Sequence, residues 1–217
     1  MNQPKIQQLS SEQLAEVDSA LLDLPTRGSL IYDSPDQAIH RFQVDQLDLI
    51  AKSYSLRTFR QKAAAFFKNS RADRSYRAGL RLRKAGINTP QPFLLRRHKS
   101  QHILVTEFCP HKALLEWLEG GEELPRSVPI NILKLLHQLA DLQCSHGDFH
   151  ARNLLIDQEG IPHLIDLDGV QSNSSQSAII RDRDRLLKSL KPLQNHYQDY
   201  LSVLGAPGSP LPELSKS

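Results

Sequence analysis

The chain has 217 residues, 39% hydrophobic and 24% charged, with a formal net charge of +3, which suits one domain or two small lobes with a substantial core and not a disordered or fibrous chain. No apolar run approaches the roughly 20 residues of a membrane span, and the polar stretch Met1–Ser10 lacks the apolar centre of a signal peptide. Two cysteines, Cys109 and Cys144, do not make a disulfide framework, so reduced thiols and a cytoplasmic location are expected.

Along the chain, Ser10 or Ser11 can cap a short helix with Leu14, Val17 and Leu21 on one side, closed by Pro25. Residues 28–53 read as short strands, because "LIYD", "AIHRFQV" and "LDLIAKSY" nearly alternate and are broken at Ser34-Pro35-Asp36 and Asp45-Gln46. "TFRQKAAAFFKN" predicts a helix, and another runs from a Ser70 cap to Ala85 with Gly86 past its end. "HILVTEF" (102–108) reads as a strand. "ALLEWL" is helical, Pro125 and Pro129 punctuate a loop, and "INILKLLHQLADL" has the pattern of a core-facing helix, with Trp117 also in the core. Two short apolar strands follow, "LLID" ending at Asp157 and "PHLID" ending at Asp166, joined by Gln158-Glu159-Gly160 into a hairpin. A charged helix from about Ile179 to Leu190 closes the pattern, and there are no repeats.

Charge is unevenly spread. From Lys52 to Lys84 there are eleven Lys or Arg residues and one acid, Asp73. Arg71, Arg74, Arg77, Arg81 and Lys84 recur at helical spacing and form one stripe, with Ala72, Tyr76 and Leu80 off it and turned inward. Such a stripe is either a solvated face or a surface for nucleotide phosphates, an acidic glycolipid, a membrane or nucleic acid. Charge alone does not choose among these.

The densest polar cluster is "HGDFHARN", residues 146–153, running directly into Leu154, Leu155 and Ile156. The hairpin brings the loop before its first strand and the acid after its second strand to one side, so Asp148, Asn153 and Asp166 can converge. One reading is a zinc site from Cys144, His146, His150 and His163, although Cys-x-His-x3-His matches none of the well-specified ligand spacings. The other is phosphoryl transfer, which needs an acid to orient a hydroxyl, oxygen ligands for Mg²⁺ and a cation on the phosphates.

"HGDFHARN" resembles the catalytic loop of protein-kinase-like phosphotransferases, and "LIDLDG" resembles the metal-binding segment that follows it. The intervals Asp148 to Asn153 and Asn153 to Asp166, five and thirteen residues, match that superfamily. "SRADRSYRAGLRLRKAGINTPQPF" is similar to lipopolysaccharide kinases of the Kdo and heptose type, in which an Arg-rich helix ends in a Gly-Ile-x-Thr-Pro turn before the next strand. The resemblance covers about residues 28–190. It implies an α+β, compact two-lobed protein-kinase-like fold, with an antiparallel N-lobe sheet plus helices and a short, mainly helical C-lobe. The implied divisions are a helical extension (1–27), an N-lobe (28–108), a C-lobe (109–204) and a flexible tail (205–217).

It further implies Asp148 as the catalytic carboxylate, Asn153 and Asp166 as Mg²⁺ ligands, and Lys52, on "DLIAKSY", as the ATP-contacting lysine. Backbone groups around Glu107, Phe108 and Cys109 would meet adenine, and His150 stands where many kinases place a cation near the transferred phosphate. His146 organises the loop by hydrogen bonding. Asp168 is either a second Mg²⁺ carboxylate or a turn acceptor. Two departures stand out. Between residues 28 and 52 only Gly28 is available for a glycine-rich loop, and Ser75 stands where some relatives carry the glutamate that pairs with the lysine. Asp73 lies about 200° around the helix from Ser75, leaving Asp166 as another partner for Lys52.

The expected function is ATP-dependent phosphorylation of a sugar hydroxyl in lipopolysaccharide core or a related glycolipid. Contact with the inner face of an anionic membrane fits this, and no nucleic acid is expected. The short segment after Asp166 lacks the platform of a peptide kinase. A compact atypical protein kinase and a pseudokinase binding module are the alternatives.

Overall fold

Three local capping signals set the helix starts of the first half. In the computed structural model, which describes residues 8–214, Ser10, Thr58 and Ser70 each accept the amide of the residue three positions on and complete a capping box. These begin α1 (Ser11–Leu22), α3 (Phe59–Phe66) and α4 (Arg71–Lys84). Pro25 does not simply stop α1. It sits in the first turn of the four-residue α2 (Leu24–Arg27), where its missing N–H costs nothing. Most of Met1–Ser10 and the last residues of the expected tail, 215–217, lie outside the described residues.

The chain divides into two units, Met1–Gly86 with Pro90–Cys109, and Ile87–Thr89 with Pro110–Ser217. Unit 1 is built on a five-stranded antiparallel sheet of β1 (Ser29–Ser34), β2 (Gln37–Val44), β3 (Leu47–Ser55), β4 (Pro92–Arg97) and β5 (Gln101–Glu107). Its order is β1-β2-β3-β5-β4. Phe42, Val44, Leu49, Ala51, Ile103 and Val105 pack on one face against Val17, Ala20 and Leu24. The N-terminal helix is thus part of this unit's core, and Arg96 clasps its Asp18 through two bonds of 2.6 Å. Tyr54 and Leu104 point to the other face, where Ala72 of α4 covers them.

The arginine stripe of α4 differs from expectation. Its buried side is Ala72, Asp73, Ser75, Ala78, Gly79 and Leu82, with Tyr76 and Leu80 only half-buried. Asp73 does not counter the stripe, because its place in the capping box turns it inward. Its carboxylate takes the Ser70 amide at 3.0 Å, the Ser70 hydroxyl at 2.5 Å, and Arg97 Nε and Nη2 at 2.9 and 2.5 Å. Arg74 and Arg77 are not simply immersed in water either. They donate to the carbonyls of Asn69 (2.9 Å) and Lys68 (2.6 Å), capping the end of the preceding helical segment.

Unit 2 carries β6 (Lys112–Ala113), α5 (Leu114–Glu119), α6 (Val128–Asp141), β7 (Cys144–Ser145), β8 (Leu154–Ile156), β9 (Pro162–Leu164), β10 (Gln171–Ser172), α7 (Gln176–Leu190) and α8 (Gln194–Leu204). Val128, Ile132, Leu133, Leu135, Leu136 and Leu139 of α6 are buried, as their spacing predicts. β8 and β9 form the expected hairpin, Leu154 opposite Leu164, and β6 extends it to three strands. The stretch after Gly205, expected as a tail, is tied in as far as Pro212. The Arg183 guanidinium, fully buried, reaches the carbonyls of Leu204 and Pro210 at 3.4 and 3.3 Å. Gly208 N–H donates to Asp184, and the Pro212 carbonyl lies 2.8 Å from His137 Nε2.

Candidate active site

The loop His146–Asn153 connects β7 to β8, and a few buried polar groups impose its shape. Asp182, on α7 and 0% exposed, accepts the amide of His146 at 2.6 Å and that of Gly147 at 3.1 Å. Arg185, three residues along the same helix, donates to this carboxylate at 2.9 Å. Burial pushes the Asp182 carboxyl above its ordinary range, against the amides and the guanidinium, which favour the charged form.

His146 is itself buried and used at both ring nitrogens. Nε2 lies 2.9 Å from the Ile165 carbonyl, and Nδ1 accepts the Asp148 amide at 3.3 Å. That fixes Nε2 as the protonated nitrogen. Burial holds the ring pKa below the usual histidine value despite the Ile165 carbonyl and the nearby acids. A ring with both nitrogens engaged is no zinc ligand, and His163 Nε2 is turned to Asp157 at 3.2 Å. Among the described residues no group of three or more His, Cys, Asp and Glu side chains is arranged to hold a metal ion. The zinc reading therefore falls.

Gly147 has φ +83°, and a Cβ there would stand 2.6 Å from the Gly169 carbonyl oxygen. Only glycine allows this close approach between the loop and the turn Leu167–Gly169, which contains Asp168.

Asp148 is exposed. Its Oδ2 lies 3.3 Å from His150 Nε2 and 3.3 Å from Asn153 Nδ2. The Asn153 amide also donates to the Asp148 carbonyl at 2.9 Å. All of these Asn153 contacts leave from Nδ2, so Oδ1 stays available as an oxygen ligand. Asn153 O accepts the Ile165 amide at 3.1 Å, which brings the backbone just before Asp166 against Asn153. Asp166 then takes a left-handed conformation, φ 57°, which turns the chain. Asp148 and Asp166 both lie close enough to favour protonation of His146. Asp148, His150 and Asn153 are thus in direct contact, and Asp166 is joined to them through the hairpin backbone.

A cavity of about 470 Å³ opens beside Asp148, lined by His150, Arg152, Arg185, Lys188 and Ser189. Ser189 Oγ also accepts the Ala151 amide at 3.1 Å. Sequence reading placed Arg152 in the polar cluster without a role, and missed Asp182, Arg185, Lys188 and Ser189 of α7. Their only signal was the charged helix itself, in which Asp182 falls three residues after the buried Ile179 and four before the buried Leu186.

In unit 1, Lys52 sits on β3 between Ile39 and Leu104, its Nζ 5.5 Å from the Tyr54 ring centroid. Asp73 is committed to Ser70 and Arg97, and Ser75 is buried, so α4 offers the lysine no exposed acid in its first two turns. A two-residue turn, Pro35-Asp36, joins β1 to β2 in place of a glycine-rich loop, closed by Ser34 Oγ and Gln37. At the end of β5, the amides of Glu107 and Phe108 are used by the carbonyls of Gln91 and Asp48, both at 2.9 Å. The Glu107 carboxylate accepts the Gln91 amide at 3.1 Å, and Arg41 stacks 3.8 Å over the Phe108 ring. Burial, reinforced by the Glu107 charge, pushes the Cys109 thiol up to about 12.

Residues 31–206 match the model of the lipopolysaccharide kinase (Kdo/WaaP) family. Two relatives are 3-deoxy-D-manno-octulosonic acid kinases. The one from Haemophilus influenzae strain PittGG is 30% identical over 120 residues, 51% of this chain and 50% of that protein. The one from Photobacterium profundum is 29% identical over 109 residues, 48% of this chain and 46% of that protein. The matched part spans about half the length of these curated relatives. Among solved structures, monomeric WbdD superposes with a TM-score of 0.58 at 18% identity, over 79% of this chain and 41% of that one. WaaP, solved in complex with acyl carrier protein, gives 0.56 at 16% identity, over 92% and 89%. The fold is therefore the α+β, protein-kinase-like fold of these kinases. With the match extending over most of its length, the chain belongs to the lipopolysaccharide kinase (Kdo/WaaP) family.

Proposed function

We propose that the protein transfers the terminal phosphate of ATP to a hydroxyl of an acidic sugar in lipopolysaccharide core or a related glycolipid. The observation that carries this reading is Asp148, an exposed carboxylate held from beneath by Asn153 at the wall of a cavity rimmed by Arg152, Arg185 and Lys188. A carboxylate so placed can accept or orient a hydroxyl proton, and the three cations suit an acceptor that carries a carboxylate or phosphate of its own.

The residues fit a hard cation, since Asn153 Oδ1 and the Asp166 carboxylate are the oxygen donors that Mg²⁺ prefers when phosphate and water complete its shell. Bound there, Mg²⁺ would neutralise charge on the transferring phosphate. Lys52 supplies a cation for the phosphates. With the Glu107 and Phe108 amides engaged inside unit 1, the backbone groups that meet the purine are those toward Cys109. His150 Nε2, 3.3 Å from Asp148 Oδ2, places an imidazole beside the carboxylate at the cavity wall.

The short β1–β2 turn and the missing helix acid favour a second reading, a binding module with little or no catalysis. Phosphotransfer from labelled ATP to purified core glycolipid separates the two. The wild type should transfer, and Asp148→Asn should retain nucleotide binding while losing about 10³-fold in rate. Equal rates would remove Asp148 from the role. Nucleotide binding without any transfer, to glycolipid or to protein, would favour the binding module.

A further inference from the structure

Helix α3 is held by almost nothing. None of its eight residues is buried, and isolated helices shorter than ~12–15 residues are marginal in water. Its start rests on Gln61 Oε1, which accepts the amides of Arg57 and Thr58 at 2.9 and 2.8 Å. Its end rests on the carbonyls that Arg74 and Arg77 hold.

What it presents is apolar. Phe59, Phe66 and Phe67 are 85%, 81% and 76% exposed. Phe59 and Phe66 are two helical turns apart and share a face, while the Phe67 ring meets that of Phe66 edge-on at 5.3 Å. Arg57, Arg60, Lys62 and Lys68 surround the rings, all exposed. The single acid between Lys52 and Lys84, Asp73, is buried against Arg97 and neutralises none of them.

Exposed aromatic rings among unopposed cations are unfavourable in water on both counts. A second copy of the chain would cover the rings but bring like charges together. An anionic bilayer meets both needs, since acyl chains cover the rings and headgroup phosphates face the cations.

We propose that Arg57–Lys68 is a membrane-surface anchor. Phe59, Phe66 and Phe67 enter the acyl boundary of an anionic bilayer, and Arg57, Arg60, Lys62 and Lys68 hold its phosphate headgroups. This deepens the proposed function, resting on it only for the lipid-borne acceptor that would give the anchor its purpose. It also moves the lipid-binding face away from the α4 stripe, where Arg74 and Arg77 already serve backbone carbonyls.

The test is sedimentation of the full chain with vesicles of phosphatidylglycerol and phosphatidylcholine, or of phosphatidylcholine alone, beside phosphotransfer to a soluble core sugar. The wild type should bind the anionic vesicles and release partly at high salt, as the Debye length shortens. Phe59→Ser, Phe66→Ser and Phe67→Ser together should weaken binding about tenfold or more at any salt. Arg57→Ser, Arg60→Ser and Lys62→Ser together should weaken it at low salt, with the difference closing at high salt. Both triple variants should keep the wild-type Tm and the wild-type rate on the soluble sugar, because the altered side chains are exposed.

Unchanged vesicle binding in the phenylalanine variant overturns the anchor. So does equal binding to uncharged vesicles, or a loss confined to self-association or to an acidic soluble protein. Vesicle binding by a protein that phosphorylates nothing would refute the proposed activity and leave the anchor standing. Transfer without vesicle binding would do the reverse.

Discussion

Each unit contains one buried carboxylate at the centre of a polar knot, and the two behave in opposite ways. Asp73 in unit 1 and Asp182 in unit 2 are 1% and 0% exposed. Burial is the largest influence on both and raises both. At Asp73 the Ser70 hydroxyl and amide and the Arg97 guanidinium overcome it, and the carboxyl ends below its ordinary range. At Asp182 the partners are two loop amides and a guanidinium that is 45% exposed, and burial prevails. Asp73 is a clasp between a helix start and a strand. Asp182 is a support for the loop His146–Asn153, and its unfavourable burial is tolerated because nothing else among the described residues accepts the His146 and Gly147 amides.

The comparison breaks most visibly at Asp182. Asp182→Ala should leave two buried amides without acceptors, a cost of about 3–5 kcal/mol. Asp182→Asn keeps the volume but turns an NH₂ toward one of those N–H groups, so the loop shifts even where the fold survives. A displacement on the order of 1 Å at Asp148 costs about 10²-fold in rate. Urea unfolding and phosphotransfer should therefore both report the change, with the rate affected in Asn as well as Ala. Full activity in a folded Asp182→Asn protein would reduce Asp182 to an ordinary buried polar group.

Asp73 should show the smaller, purely structural effect. Asp73→Ala removes an N3 acid of the capping box and a bidentate arginine, while Arg97, 44% exposed, can turn to water. The expected loss is about 2–3 kcal/mol, read as a lower urea midpoint at unchanged slope. kcat should be nearly unaffected at temperatures where the protein is folded. A kcat loss comparable to that of Asp182→Asn would mean that α4 supports chemistry as well as packing.

The same two knots mark where the sequence could and could not be read. Asp73 at N3 of a Ser-capped helix follows a local rule, so the helix start was legible. Its partner Arg97 stands 24 residues away, and only the β4–β5 hairpin brings it there. The loop His146–Asn153 stood out because the kinases it resembles keep fixed residue types at fixed intervals along one hairpin, and the β8–β9 hairpin is where that spacing put it. Asp182 was hidden among five charges in "RDRDR", although its register placed it on the apolar stripe of α7. For α4, periodicity correctly put the arginines on one face, but side-chain capping of distant carbonyls has no periodic signal. For α3, helix propensity gave the element, while the absence of anything packed on its phenylalanines is a property of the tertiary structure alone.

The finest contrast is in titration. Burial holds His102, beside Asp73, and His146, above Asp182, below the ordinary histidine value. A histidine depressed in the fold but normal in the unfolded chain binds its proton only on unfolding. Its stabilising contribution is complete above the unfolded pKa of about 6.5 and is lost as pH falls toward the folded value. Unfolding free energy should thus decline from pH 7 toward pH 5, each histidine adding a slope of up to about 1.4 kcal/mol per pH unit. At lower pH the carboxyls separate. Asp73, depressed, loses its contribution as pH falls below the ordinary carboxyl range, whereas Asp182, raised, takes up its proton more readily in the fold than in the unfolded chain. The knots can be told apart in Asp73→Asn. That change removes the carboxylate that favours protonated His102 and leaves burial, Arg97 and His98 opposing it, so the His102 imidazole should titrate lower still while His146 is unmoved. Imidazole resonances followed by NMR between pH 7 and pH 5 would show this. A His102 resonance that titrates at the usual pH in both proteins would mean that the Asp73 knot is open to water.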